Sequence, residues 1–523
     1  MDIAERLIIT QPMYFTEPCS KCGYCKGEKE DHENYYSLKS LYNDSHHREV
    51  ENCTVGFQCE NMTISMYDSL CNMGYRRSGH FIYKPDLLRS CCRLFTIRTT
   101  PDQVKLTKEY KSCVKKFKNF VQPEKGKIKK KGNVPFDYIQ ELSDIDADKS
   151  DFYTRYEPAI YTEAKYALFA KYQESIHNDF KHNKKSFDRF LCDSPFPEHI
   201  KMGTEEEWEQ LNELGSRMPS SFSLGEPLKR LGPAHECYYY KNQLIAIAVT
   251  DFLPSGMSSV YFIWDPDFKK WSLGKLSVLR ELTLLSKTDK PYYYLGYYVE
   301  DCHKMNYKAA YGGELLDVCN SNYVSLDYLK TEHHIDHGHL FTFSENENIQ
   351  TEMELDDKFN NGFPKCDISS TGLHDVAEEI FGMNGILTQN DSQQAEVIST
   401  IRKYGVDYHN ENYIESLFRK ESKSDHDNEK DNNNESSTKR PPQTFTALPN
   451  ILPGLIPMTE LLSMLETDRM RELDGKLLVY DTDLQQIRPI FDFYNEPEEI
   501  KTTVCNVIRL LGMRLSKRAL VII

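Results

Sequence analysis

The sequence predicts an α+β fold around a mostly antiparallel central sheet, and three features between Cys237 and Val299 predict it. Lys241-Asn242 separates two β-rich runs, Cys237 to Tyr240 and Leu244 to Val249, as in a hairpin. Val260 to Trp264 and Tyr292 to Val299 are continuous apolar runs, the pattern of central strands covered on two faces. Between them, Leu276 to Leu285 is too long and too leucine-rich for a strand and follows a Ser272-Leu273-Gly274 turn, so it is expected to be a buried crossover helix. Pro254-Ser255-Gly256 turns the chain into Val260, and a further helix is expected after Val299.

The rest of the chain is read around this unit. Residues 1–135 form a basic, cysteine-rich region with Cys19, Cys22, Cys25, Cys53, Cys59, Cys71, Cys91 and Cys92. Cys22-Gly23-Tyr24-Cys25 has the spacing that lets two thiolates grip one metal from a tight turn, with Cys91-Cys92 as a second pair. Adjacent cysteines are unusual for regular tetrahedral zinc, and thiolates equally suit an iron–sulfur cluster; buried free thiols are the plain alternative. Cys53, Cys59 and Cys71 are assigned to packing. Asp137 to Asp151 is a polar bridge into a core spanning 136–345, where a helix begins near Ala159 with apolar positions at Tyr166, Phe169, Ala170, Tyr172 and Ile176. In the last region, 346–523, Phe418 to Pro442 is low-complexity and is expected to be a disordered insertion, followed by packed helices in LPNILPGLIPMTELLSMLE and KTTVCNVIRLLGMRL.

At 523 residues, length suggests two to four domains, and 39% hydrophobic content is normal for globular chains. The opening MDIAERLIIT lacks the basic and long apolar parts of a signal peptide, and no run reaches the length of a membrane span, so a protein of the cytoplasm, with the nucleus as a second location, is expected. Fifteen cysteines with scattered spacing fit reduced thiols better than a disulfide framework. The net charge of −16 hides segregation: Arg76 to Lys131 holds 17 basic against four acidic residues, a local charge of +13. That segment is either a solvated face with a lysine loop or a contact for a nucleic-acid backbone.

Hairpin, strand, crossover helix and strand is the order of a Gcn5-related acyltransferase core, in which two adjacent strands splay apart around the acyl donor. SSVYFIWDPD, SLGKLSVLRE, YYYLGYYVEDCHKMNYK and MGYRRSGHFIYKP, with CGYC and the paired CC, closely resemble the arginyl-tRNA–protein transferase family in its fungal form, over roughly residues 20–330 and more loosely from Pro449 onward. The resemblance implies transfer of arginine from arginyl-tRNA to the α-amine of proteins beginning with Asp, Glu or oxidised Cys, marking them for ubiquitin-dependent degradation. It also implies an iron–sulfur cluster or zinc at Cys22, Cys25, Cys91 and Cys92, and tRNA contact at Lys127, Lys129, Lys130 and Lys131. No nucleotide cofactor, no membrane partner and a monomer are expected.

Chemistry narrows the remaining candidates. An aminoacyl ester is already activated and an α-amine is partly neutral near pH 7.7 to 8.0, so positioning and oxyanion stabilisation should carry most of the rate. An acidic acceptor needs cations, and Arg76, Arg77 and Lys84 are the first choice, with phosphate contact within the basic face as the alternative for the two arginines; Arg280 and Lys308 join them as substrate-binding residues. His235, Asp265, Tyr298, Lys304 and Tyr307 form the catalytic set; His235 is otherwise a structural hydrogen-bonder, Asp265 otherwise the cap of a turn before Pro266, and the tyrosine ladder from Tyr292 to Tyr298 otherwise sheet packing. Cys302 has no His and Asp set to make it a nucleophile. Two other classes fit the sequence less well. An acetyl-CoA-dependent N-acetyltransferase would need a glycine-rich pyrophosphate turn that SLGKLS lacks, and a non-enzymatic zinc and RNA-binding protein would leave Ser255 to Lys308 without purpose.

Overall fold

Two sheets carry the fold of the computed structural model, which describes residues 3–18, 22–25, 51–90, 92–123, 135–147, 151–216, 225–342, 391–408 and 443–523. The first, nine-stranded among these residues, joins the two ends of the chain. It contains β1 (Leu7–Thr10), β2 (Met13–Pro18), β3 (Glu51–Asn61), β4 (Arg76–Ser78), β5 (Phe81–Pro85), β14 (Gln443–Phe445), β15 (Leu478–Asp481), β16 (Gln486–Pro489) and β17 (Ala519–Ile522). The main path runs β14-β2-β3-β1-β17-β15-β16; β5 pairs with β3, and β4 with β5. The parallel pairing of β1 with β17 sets Leu7 opposite Ala519.

The second sheet has eight strands in the order β13-β12-β6-β11-β10-β9-β8-β7. They are β6 (Phe95–Thr99), β7 (Phe152–Glu157), β8 (Gly232–Tyr240), β9 (Gln243–Leu253), β10 (Gly256–Trp264), β11 (Tyr292–Tyr298), β12 (Glu314–Asp317) and β13 (Asn322–Ser325). The β8–β9 hairpin turns on Lys241 and Asn242, both at positive φ (49° and 63°), as a two-residue hairpin turn of primed type requires. Its neighbour β10 is antiparallel to β9 and parallel to β11. Gly256 makes that parallel start possible: a Cβ there would stand 1.9 Å from the Tyr292 carbonyl oxygen.

Six helices matter to the site or its support: α1 (Ile64–Asn72), α2 (Lys108–Val121), α3 (Tyr138–Asp146), α4 (Glu163–Tyr172), α5 (Leu273–Leu285) and α6 (Glu498–Ser516). Thr63 caps α1 by accepting from the Met66 amide. The crossover helix α5 is buried from Leu276 onward, with Leu276, Leu279 and Leu282 fully inside the second core. The helix expected from Ala159 starts later, as α4, and passes into an irregular turn over Gln173–His177.

Cys53, Cys59 and Cys71 are buried in the first core. The C-terminal region is more than the packed helices expected: besides Met458–Glu466 and α6, it contributes β14 to β17. Regions separate along the sequence therefore interleave in space, with β6 from the cysteine-rich segment inside the second sheet. The low-complexity stretch Phe418 to Pro442 lies outside the described residues. No helix among the described residues is long and apolar enough to cross a membrane.

Candidate active site

β10 and β11 stay paired only from Gly256/Tyr292 to Ser258/Tyr294 and then part. Both strands change register where they separate: β10 between Ser259 and Tyr261 against β9, and β11 between Tyr294 and Tyr297 against β6. Gly296, at φ +78°, occupies the second irregularity, a backbone conformation that a side chain would strain. A cavity of about 530 Å³ fills the gap, reached by the first turns of α5 at Gly274 and Ser277. The expectation that Val260 to Trp264 is covered on two faces is corrected here, because Ser259 to Phe262 are only half-buried where they face this cavity.

The lining is aromatic and cationic, and it includes no carboxylate of the described residues. Arg76, on β4, is 5% exposed. Its guanidinium donates to the Cys71 and Tyr75 carbonyls (3.1 and 2.6 Å) and lies 5.5 Å from the Tyr297 ring centroid. Its Nε has no hydrogen-bond partner, and it pairs with no carboxylate among the described residues. Lys308 is buried beside it, donating to the Tyr297 carbonyl at 2.6 Å. Burial and the neighbouring Arg76 charge bring its pKa down to about 7. One permanent cation without a carboxylate partner among the described residues, Arg76, and a lysine held near neutrality thus border one cavity.

Arg77 also borders it but is already neutralised. Its Nε and a terminal nitrogen donate to the two Asp251 oxygens at 2.7 and 2.6 Å, a bidentate pair buried on both sides. Tyr307 lines the cavity at its more open side, 42% exposed. Arg76, Arg77, Tyr307 and Lys308 are therefore the named substrate-binding and catalytic candidates that the structure brings together.

The other candidates lie elsewhere. His235 is fully buried, donating from Nε2 to the Leu191 carbonyl at 2.9 Å, and burial pushes its pKa down to about 3, so it stays neutral. Asp265 caps its turn by accepting from the Asp267 amide and pairs with Lys171 at 2.5 Å. The Tyr298 hydroxyl donates to Glu300 away from the cavity, whose wall takes Tyr293 and Tyr297 instead. Lys304 is exposed in the short helix His303–Asn306. Lys84 is buried against the Gly454 carbonyl at 2.8 Å and the Tyr75 ring, with its pKa brought down to about 7 by burial. Arg280, on α5, is buried between Asp146 at 2.7 Å and Glu236 at 3.5 Å. Lys127, Lys129, Lys130 and Lys131 lie outside the described residues.

Cys22, Cys25 and Cys92 are buried with their sulfurs within 4.8 Å of one another, so three soft donors converge as a metal or cluster requires; Cys91 lies outside the described residues. These cysteines pack against Leu94, Tyr297, Val299 and Cys302. Tyr24, between the first two, is part of the cavity wall. That contact was missed from sequence, where the spacing of the cysteines drew the reading and not the residue between them. The aromatic wall of Tyr172, Tyr261 and Trp264 was also missed.

Comparison with known proteins decides the family. The descriptions "Arginine-tRNA-protein transferase, N terminus" and "Arginine-tRNA-protein transferase, C terminus" match residues 20–112 and 164–317. A Saccharomyces cerevisiae protein named arginyl-tRNA–protein transferase 1 is 41% identical over 99% of this chain and 99% of its own length. The chain belongs to the arginyl-tRNA–protein transferase family. Arginyl-tRNA–protein transferase 2 of Arabidopsis thaliana is 38% identical over 28% of this chain and 23% of its own. An aspartate/glutamate leucyltransferase of Stutzerimonas stutzeri is 25% identical over 48% of this chain and 79% of its own. The N-terminal match contains Cys22, Cys25, Arg76 and Cys92, and the C-terminal match contains β8 to β12 and Lys308.

Proposed function

We propose that this chain transfers arginine from arginyl-tRNA to the α-amine of polypeptides that begin with Asp, Glu or oxidised Cys, and so marks them for ubiquitin-dependent degradation. The observation that carries the reading is the buried Arg76 guanidinium, with Lys308 held near neutrality beside it, at a cavity lined by no carboxylate of the described residues, in a chain of this family. An acceptor's side-chain carboxylate is the missing counter-charge, and a fork of guanidinium donors suits it. Leucyltransferases whose name specifies aspartate and glutamate are among the relatives, which supports acidic acceptors.

The donor's arginine side chain meets the aromatic wall, where a guanidinium can stack. The acceptor nitrogen attacks the ester carbonyl carbon, the carbon–oxygen bond to the tRNA ribose breaks, and the ribose oxygen leaves with a proton. Lys308, held near neutrality, carries that proton from the acceptor ammonium to the leaving oxygen. The splayed β10 and β11 support an acyltransferase core of Gcn5-related type. Cys22, Cys25 and Cys92 would hold an iron–sulfur cluster or zinc, with Cys91 as the fourth ligand, and the bound centre would fix the loop that carries Tyr24. The exposed lysines of α2, with Lys127 to Lys131 following in sequence, are the proposed tRNA contact.

The test is transfer of radiolabelled arginine from tRNA to peptides starting with Asp, Glu, Cys sulfonic acid or Ala. Transfer to the first three and not to Ala is expected. Equal transfer to Ala would sink the acidic-acceptor reading, and retention of tRNA without transfer would sink the enzymatic one.

A further inference from the structure

A polypeptide acceptor needs a path for the residues that follow its first. A second cavity, of about 770 Å³, lies beside the first and shares two lining residues with it, Ser78 and Phe190. The bridge is β4 and its turn: Arg76 and Arg77 line the first cavity, Ser78 lines both, and His80 lines the second. Among the described strands, β4 pairs with β5 alone, so one of its edges carries no neighbouring strand. An extended chain advances about 3.3 Å per residue, so a polypeptide whose first side chain lies at Arg76 reaches Ser78 by its third residue.

The second cavity is lined by both signs of charge, Lys181 and Arg189 with Glu60, Asp179 and Asp193. An RNA backbone would meet carboxylates there, whereas polypeptides of varied sequence find partners for either sign. Phe180, between the lining residues Asp179 and Lys181, is 69% exposed, an apolar surface suited to a side chain and not to phosphate. The lysine-bearing helix α2 reaches the first cavity through Tyr307, whose hydroxyl feels Tyr110 of α2, and through Lys275 of α5, which pairs with Glu109, whereas no residue of α2 lines the second cavity. The lysines proposed for the tRNA therefore lie off the second cavity.

We propose that the groove from Ser78 to Lys181 and Arg189 binds the third to about the sixth residue of the acceptor polypeptide, a proposal that rests on the first cavity being the transfer site. Binding is measured on the full-length chain without donor, by the anisotropy of a decapeptide that begins with Asp and carries fluorescein at its C-terminus. Unlabelled decapeptide should displace it at least about tenfold better than an Asp-starting dipeptide amide. In Phe180→Ser and in Lys181→Ala/Arg189→Ala that advantage should fall severalfold. No length advantage in the parent chain, no binding of the decapeptide, or variants that keep the advantage while losing tRNA affinity would each overturn the proposal. Length-dependent binding with no arginine transfer to either peptide would support the groove and overturn the transfer reading instead.

Discussion

Replacing Arg76 by glutamine removes the fixed positive charge from the cavity while leaving an amide that can still donate to the Tyr75 or Cys71 carbonyl. A hydrogen bond to a charged group is worth about 1.5 to 3 kcal/mol, and about 1.4 kcal/mol is a factor of ten in rate. Arg76→Gln should therefore lower kcat/KM for an Asp-starting peptide by roughly 10- to 150-fold. An Ala-starting peptide has no carboxylate to lose, so its slow transfer should barely change and the Asp-over-Ala preference should fall by the same factor. The control is Arg77→Gln, which strands the buried Asp251 carboxylate without its bidentate partner. Breaking such a pair costs about 3 to 5 kcal/mol of stability, visible as a lower denaturation midpoint, with selectivity kept by the molecules that still fold. Initial rates with radiolabelled arginyl-tRNA and both peptides, beside urea unfolding of both variants, separate the two roles. An Arg76→Gln enzyme that keeps its preference within twofold would refute the argument, as would an Arg77→Gln enzyme of parental stability with altered selectivity.

Other outcomes follow from single features. Lys84 has a folded pKa of about 7, below its unfolded value, so between roughly pH 7 and 10 the unfolded chain binds more protons and stability rises with pH. Lys84→Met should abolish its share, about 3 kcal/mol between pH 7 and 9.5, measured as the difference between parent and variant in urea; identical slopes would show that Lys84 is not held near neutrality. Cys22→Ser, Cys25→Ser and Cys92→Ser should each sharply reduce metal in anaerobically purified protein, while Cys19→Ser should matter less; equal metal content in all four would remove the site. Neutralising Lys127, Lys129, Lys130 and Lys131 together should flatten the salt dependence of tRNA binding by about 0.7 to 0.9 log units per lost contact, and an unchanged slope would mark them as solvated.

Four neighbouring strands of the second sheet, β8 to β11, were legible because their signals are local, whereas β6, β7, β12 and β13 were not read as strands. A two-residue turn between β-rich runs, a leucine-rich helix between two apolar runs and a glycine turn each report on neighbours in sequence. The first sheet was not, because β1 meets β17 across almost the whole chain and neither strand carries a mark of its partner. The half-open face of β10 was illegible for a related reason: an apolar run reads the same whether its neighbour stays beside it or departs after three residues.

The site shows the same limit at finer scale, and two adjacent arginines make it concrete. Arg76 and Arg77 are chemically identical and equally buried. They differ because successive side chains of a strand point to opposite faces. One face of β4 turns Arg77 toward Asp251 on β9, which satisfies its charge; the other sets Arg76 over Tyr294 and Tyr297 with Lys308 nearby and no acid among the described residues. A sum of charge along the segment counts both alike. What separates a binding cation from a structural one is the location of the carboxylate, and Asp251 lies 174 residues from the arginine it neutralises. The same criterion removes Arg280, paired with Asp146 and Glu236, and it leaves Arg76 as the buried guanidinium at this cavity without a carboxylate among the described residues, which is why we assign its counter-ion to the substrate.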